Sequence, residues 1–513
     1  FFFNSLFDLF LNYSIIRSAL FCTIFCLSMR VLNLKNFFFK KPKLPLPPGP
    51  YGLPFLGYLP FLKKEVHLTF TKLSEKFGPI YQLKLGNTRV VVLSSSKYVR
   101  EAFRQNVFSG RPSNELTKII KGFGVVNSNG ELWREQRSFL HSVLKNFGAR
   151  NMVDGKKGLE KVINDEIQSL MLDIEKLNGE TFVRPKLARM VTNIVCSLLM
   201  GVRFRSEEDR NFKRLLELMD EGFRLLNVAM ISNFFPFTRF LPYINKTFQK
   251  IKNNHAESGR YFKKIAEEHR STLDPFNIRD VCDAFLKEQD KINAIGKKSY
   301  FSDEQLIQVL NDMFSAGLET VTNTLDWTIL FFVLYPEVQL KIQEEIDKKI
   351  GNNRLPELTD LANMPYTEAS MYEVMRRSSI VALGHVHSTL QDTILGGYRI
   401  PKNTHILSNL YGIHMDPSKW ENPEIFNPSR FLKDGKLVKP DNFMPFSVGR
   451  RMCLGDVLTK MEFFLFITNI LLRFNLVCAD DDKPTLDIFC ATMLFPKPFA
   501  VKFVSRKVNS EMN

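Results

Sequence analysis

Phe446-Ser447-Val448-Gly449-Arg450-Arg451-Met452-Cys453-Leu454-Gly455 is the stretch that decides the reading of this chain. One Cys stands in a glycine-punctuated loop, beside two Arg, at the entrance to a helix expected over 454–474. Each feature pushes the thiol toward thiolate. A helix N-terminus offers unpaired N–H groups and positive potential, and guanidinium groups add charge. Gly449 and Gly455 allow backbone to approach the sulfur or a flat ligand. The commoner fate of a free Cys is a small buried hydrophobe. Cys22, Cys26, Cys196, Cys282, Cys478 and Cys490 have no comparable setting.

Working outward, a long helix precedes this loop. Ser302-Asp303-Glu304-Gln305 starts it as a capping box, and nothing but Gly317 interrupts the pattern before Pro336. A helix over 303–335 would be about 50 Å long. Gly at its middle costs about 1 kcal/mol against Ala, so a packing or ligand reason is expected there. Ala316-Gly317-Leu318-Glu319-Thr320 surrounds it. The missing side chain lets a flat macrocycle and dioxygen approach the backbone. Thr320 can bond a carbonyl one turn back, and Glu319 with Thr320 can organise water and relay protons. The plain alternative is a surface acid and a Thr bonded to its own helix.

Further constellations are weaker alone. Glu373 and Arg376 lie three apart on a helix, close enough for an ion pair. Trp133 and Arg137 are one turn apart, where an indole N–H and a guanidinium can grip one carboxylate. His385 and His387 share one side of an extended segment, but no third metal ligand is near.

Together these segments resemble the cytochrome P-450 family, from about Pro47 to the C-terminus. Phe446, Gly449, Arg451, Cys453 and Gly455 match its Phe-x-x-Gly-x-Arg-x-Cys-x-Gly signature, and Ala316–Thr320 is similar to its oxygen-activation motif. The resemblance implies a mainly α fold with small β-sheets (α+β), one large haem domain and a long central helix. It implies haem b (iron protoporphyrin IX) with Cys453 as axial ligand. It implies haem contacts from Trp133, Arg137, Arg111, His387, Arg451, Phe446, Gly449 and Gly455, and oxygen chemistry at Ala316, Gly317, Glu319 and Thr320. Glu373 and Arg376, with Arg430 of Pro428-Ser429-Arg430-Phe431, would lock the core behind the loop. Val386 replaces a frequent Pro, and Ser429 a usual Glu.

The implied reaction is a monooxygenation: one atom of O2 enters an apolar small molecule (xenobiotic, steroid or fatty-acid-like) and the other leaves as water. The implied substrate pocket draws on 108–125, 226–245, Asn311–Thr320, Ile380–Leu383 and Thr492–Phe495. Electrons must come from a partner, because Gly122-Phe123-Gly124-Val125-Val126-Asn127 fails the dinucleotide fingerprint at its last glycine. The implied donor is an NADPH-dependent flavoprotein reductase, with cytochrome b5 as a second. Arg134, Lys145 and Arg450 are candidates for a basic docking face. A haem-thiolate isomerase or dehydratase that does not use O2 is the alternative, but such relatives usually lose the acid–Thr pair or alter the cysteine loop. A haem sensor or carrier would need neither the pair nor a reductase face.

Composition agrees. The 513 residues include 70 Lys+Arg and 54 Asp+Glu, for a net charge of +16, with 44% hydrophobic residues and 47 Phe. That excludes a largely disordered chain, and seven Cys exclude a dense disulfide framework. The charge alone would suit nucleic acid, but no zinc, recognition-helix or RNA-binding signature is present. Residues 1–40 read as a membrane anchor with a basic stop. A span from about Leu9 to Met29 must carry Arg17, and Arg30, Lys35, Lys40, Lys41 and Lys43 mark the cytoplasmic side. Residues 41–54 read as a stiff proline-rich hinge, and 55–513 as the catalytic domain. The expected location is the endoplasmic reticulum membrane, microsomal type, with the domain in the cytoplasm. The resemblance within the family is to the animal drug- and steroid-oxidising group. Phe234-Phe235-Pro236-Phe237 is a candidate second bilayer contact, and Pro79–Leu93 reads as a β-hairpin turning at Gly86-Asn87.

Overall fold

Alternation builds the first sheet. Tyr81, Leu83 and Leu85 turn inward, Gly86 takes φ +58° at the turn, and Ile80–Leu85 pairs antiparallel with Thr88–Leu93 from Ile80↔Leu93 to Leu85↔Thr88. Thr88–Leu93 then runs parallel to His405–Ser408, which takes His387–Ser388 on its other side. The computed structural model describes residues 44–113, 117–147, 157–176, 179–206, 208–351, 353–479 and 483–506. The expected anchor over 1–40 lies outside them. Contacts divide the chain into Phe1–Leu46 and Pro47–Asn513. The second unit contains the hairpin and every helix and strand from Leu59 onward. Its first residues are fastened to the hairpin. Gln82 N–H donates to Pro48 O at 2.8 Å, and a Cβ on Gly49 would fall 1.7 Å from Gln82 O. Glycine is what permits that approach.

The rest is mainly helical, with small sheets. The central helix runs Asp303–Leu334 and stops one residue short of expectation. Tyr335 leaves helical geometry (φ −125°, ψ 68°) because Pro336 follows it. Ser302 accepts from Gln305 N–H at 3.2 Å, as a cap should. The Gln305 carboxamide does not return the bond. It accepts from Gly124 N–H at 2.9 Å and donates to Gly124 O at 3.1 Å, tethering a loop. Asp312 holds the same loop through Val125 and Val126 N–H (2.8 and 2.9 Å).

Gly317 has its packing reason. A Cβ there would meet Val195 Cγ2 at 2.9 Å, on the helix Arg184–Met200 that crosses closely. The close approach is between two helices. The last long helix is Asp456–Arg473, two residues later than expected, and a strand Phe474–Cys478 follows directly. Its residues Met461–Leu472 are all buried, Glu462, Thr468 and Asn469 among them, as a helix apolar over most of its surface requires. Among the described residues no helix is long and apolar enough to cross a membrane.

Candidate active site

The loop before that last helix is held by backbone. Ser447 and Gly449 have positive φ (+59° and +81°), and Cys453 N–H donates to Phe446 O at 3.0 Å. Gly449 serves a different neighbour from the one expected: its Cβ would lie 2.1 Å from Phe103 O. A Cβ on Gly455 would sit 4.0 Å from Cys453 Sγ, which is ordinary contact. The helix starts at Asp456, so Cys453 precedes its N-cap Gly455 by two residues. The sulfur receives the Gly455 N–H.

Cys453 opens onto a cavity of about 340 Å³, shared with Thr320, Ala316, Trp133, Arg137 and His385. Its accessible surface faces that cavity, and burial therefore governs the thiol. Burial pushes its pKa up, while the Gly455 N–H and the Arg137 charge pull it down less. The nearby cation is Arg137 rather than the expected Arg451.

Three guanidinium groups converge on one side. Arg451 donates to Ser109 O (2.9 Å) and Ser128 O (2.6 Å), and lies 3.8 Å from the Trp133 ring centroid. Arg111 donates to Val126 O (3.1 Å) and Val386 O (2.8 Å), and Arg137 to Met452 O (2.6 Å). All three line the cavity. Their partners are carbonyls, and no carboxylate pairs with them among the described residues. Burial pushes all three pKa values down. The buried Trp133 Nε1–H has no partner at all.

His387 sits near the same guanidinium groups. Its Nδ1 meets Phe108 O at 2.8 Å, its ring stacks on Phe103 (centroids 3.8 Å apart, 3° between planes), and the cavity is lined by His385 instead. On the central helix, Thr320 Oγ1 donates to Ala316 O at 2.6 Å and lines the cavity. Glu319 turns away and pairs with Arg184. Burial still raises its pKa, against the opposing Arg184 charge.

Behind the loop, Glu373 takes Arg376 through Nε (2.7 Å) and Nη2 (2.8 Å), and Arg430 Nε at 3.0 Å. Arg376 also donates to His414 O and Pro423 O, both at 2.7 Å. The family model for cytochrome P450 matches residues 47–503. The chain belongs to the cytochrome P450 family. It is 39% identical over 464 residues to cytochrome P450 18a1 of Drosophila melanogaster, covering 89% of this chain and 86% of that protein. It is 36% identical to human cytochrome P450 2U1, over 90% of this chain and 89% of the relative. Human cytochrome P450 2J2 is 37% identical, with 86% and 87% covered.

The protein is thus an oxidoreductase of the monooxygenase type, and the cofactor of this P450 family is haem. The cavity suits that group on its own chemistry. Guanidinium groups that meet carbonyls but pair with no carboxylate, and an orphan indole N–H, offer an anion a place at one rim, and a thiol with one N–H donor faces the same space.

Two cavity residues escaped the sequence reading of this P450. His414 accepts from Met444 N–H at 3.1 Å, so its Nδ1 carries the proton toward Ser379 Oγ at 2.9 Å. It thereby links the cysteine loop to the Glu373 cluster, and burial pushes its pKa down to about 3, which keeps it neutral. Glu462 is buried with neither carboxylate oxygen partnered, and burial pushes it up to about 8. An acid inside the apolar run Met461-Glu462-Phe463-Phe464 was its available signal.

Proposed function

We propose that this P450 uses electrons from an NADPH-dependent flavoprotein reductase to oxidise an apolar small molecule of xenobiotic, steroid or fatty-acid type. The observation that carries the reading is that Cys453 and Thr320 face one shared cavity. Haem, when bound, would supply the activation of O2, with a cysteine sulfur donating electron density to it. The chain's residues would do the rest. Cys453 would hold the iron. Arg111, Arg137, Arg451, the Trp133 N–H and His387 would hold the haem carboxylates, and His385 lines the same cavity. Phe446, Gly449 and Gly455 shape the loop. Ala316 and Gly317 keep the helix face open, Thr320 Oγ1 holds a proton at the cavity, and Glu319 replenishes it.

The test is the reduced carbon monoxide difference spectrum of wild type and Cys453→Ala, followed by turnover with NADPH and reductase. A thiolate-type band in wild type alone supports the ligand. A band that persists without the sulfur rejects it. Product formed without NADPH and reductase would favour the isomerase or dehydratase reading.

Partners and placement belong to the same proposal. Lys145 and Arg450 are exposed, while Arg134 is paired with Glu131. The first two are therefore the better candidates for meeting an acidic reductase or cytochrome b5. Residues 1–40 anchor the enzyme in the endoplasmic reticulum membrane, 41–54 act as hinge, and 55–513 form the cytoplasmic catalytic domain. A second bilayer contact centres on Phe237 and Phe240, 67% and 77% exposed, with Leu241 and Tyr243 beside them. Phe234 instead packs against the hairpin. Phe237→Ser with Phe240→Ser, in protein lacking residues 1–40, should lower membrane partitioning. Unchanged partitioning of folded, haem-loaded protein rejects that contact.

A further inference from the structure

One cation serves two acids on one face of the central helix. Arg184 opens the helix Arg184–Met200. Its Nη2 pairs with Glu319, and its Nη1 meets Asp326 Oδ2 at 3.2 Å. Glu319 and Asp326 are seven residues apart, two turns along one helix face. Both are largely buried, at 12% and 9% side-chain exposure, whereas Arg184 is 35% exposed. The arrangement is braced. The guanidinium lies 5.2 Å from the Phe495 ring centroid. Asn323 Nδ2 and Trp327 Nε1 both donate to Leu494 O, at 2.9 and 3.1 Å, fixing that strand to the helix.

The charges do not balance. Burial raises both acids, Arg184 opposes this at each, and Asp220 from the neighbouring helix Arg210–Ala229 raises Glu319 further. Whatever share of Arg184 goes to Asp326 is withdrawn from Glu319. We infer that Arg184, shared with Asp326, is a positioning residue that sets the charge and direction of Glu319, and with them the pH range over which the cavity is supplied with protons. The inference rests on the proton role proposed above for Glu319. In each cycle the Glu319 carboxyl gives one proton toward Thr320 and regains one from solvent, so the acid ends as it began.

The two neighbours should act with opposite sign. Removing the cation raises the acid's midpoint. Removing Asp326 lowers it, because a competing negative charge goes and Arg184 turns wholly to Glu319. The measurement is the infrared carboxyl band of the resting haem-loaded enzyme, assigned by difference against Glu319→Gln and followed with pH. Arg184→Gln should move the midpoint up by about one pH unit, Asp326→Asn down by about half a unit, and Arg184→Lys by less than either. Peroxide released per NADPH consumed, measured with reductase, should follow the same order. Shifts of the same sign, or none, overturn the inference. If Arg184→Gln loses haem, the downward shift in Asp326→Asn decides alone. If Glu319→Gln itself leaves peroxide release unchanged, the proton role of Glu319 fails, which is a separate result.

Discussion

Behind the cysteine loop the charges of the Glu373 cluster answer one another; facing the cavity, several charges are unanswered. Glu373, Arg376 and Arg430 satisfy one another, and the spare guanidinium donors find carbonyls. Across the loop, Arg111, Arg137 and Arg451 have carbonyls but no acid, while the Trp133 N–H and both Glu462 oxygens have nothing. Native interiors rarely leave such groups unmatched. The first region is complete as protein. The second is shaped for a partner that is not protein.

Breaking the complete side should cost most. Arg376→Ala leaves buried Glu373 with Arg430 as its one remaining cation and strands the carbonyls of His414 and Pro423, a loss of about 3–5 kcal/mol. Little folded protein should be recovered, and none with a thiolate-type spectrum. Denaturant unfolding of whatever folds gives the size. Recovery at wild-type stability would show that the two regions do not differ in kind.

The incomplete side should respond to haem rather than to folding. Arg451→Met removes a cation whose burial is opposed by no acid, and loses its stacking on Trp133. Lost carbonyl bonds and relieved charge burial nearly cancel, so the haem-free protein should change by about 1 kcal/mol or less. Haem should leave at least about tenfold faster, since a charge-assisted contact to its carboxylate is gone. Transfer of haem to a scavenging globin measures the rate, and an unchanged rate would remove Arg451 from the carboxylate grip.

Glu462 sharpens the comparison through pH. Its folded pKa, pushed up to about 8, lies above the ordinary 4.5. The folded state therefore holds more protons than the unfolded one between these values, and stability falls as pH rises across that window. Glu462→Gln should leave stability nearly unchanged at pH 4.5 and raise it by about 4 kcal/mol by pH 7.5. Parallel stability profiles for the two proteins would mean that Glu462 has found a partner.

Those effects also show which parts of the site could be read from sequence. The cysteine loop was legible because its residues act within ten positions, where spacing fixes geometry. The hairpin was legible because Tyr81, Leu83 and Leu85 alternate with more polar residues before Gly86-Asn87, and the continuous apolar run Val90–Leu93, buried throughout, follows it. His387 and His385 could not be told apart by position because two-residue alternation puts both on one side, and only the structure shows that the His387 ring stacks on Phe103. Arg184 was invisible because it stands 135 residues from Glu319.

Gly317 carries the smallest effect and asks whether the cavity side is shaped by its ligand or by its packing. Ala there gains about 1 kcal/mol in helix propensity, but its Cβ would press on Val195 at 2.9 Å, and overpacking costs about 1–3 kcal/mol. Gly317→Ala should therefore lose about 1 kcal/mol net. Adding Val195→Ala should recover part of that loss, because the second truncation opens the space that the first fills. If stability returns while haem content and carbon monoxide spectrum stay normal, the glycine answers to the crossing helix. If the double variant is stable but its haem spectrum remains perturbed, the flat ligand also requires the missing side chain, and the open face of the central helix belongs with the unanswered charges as part of the space reserved for haem.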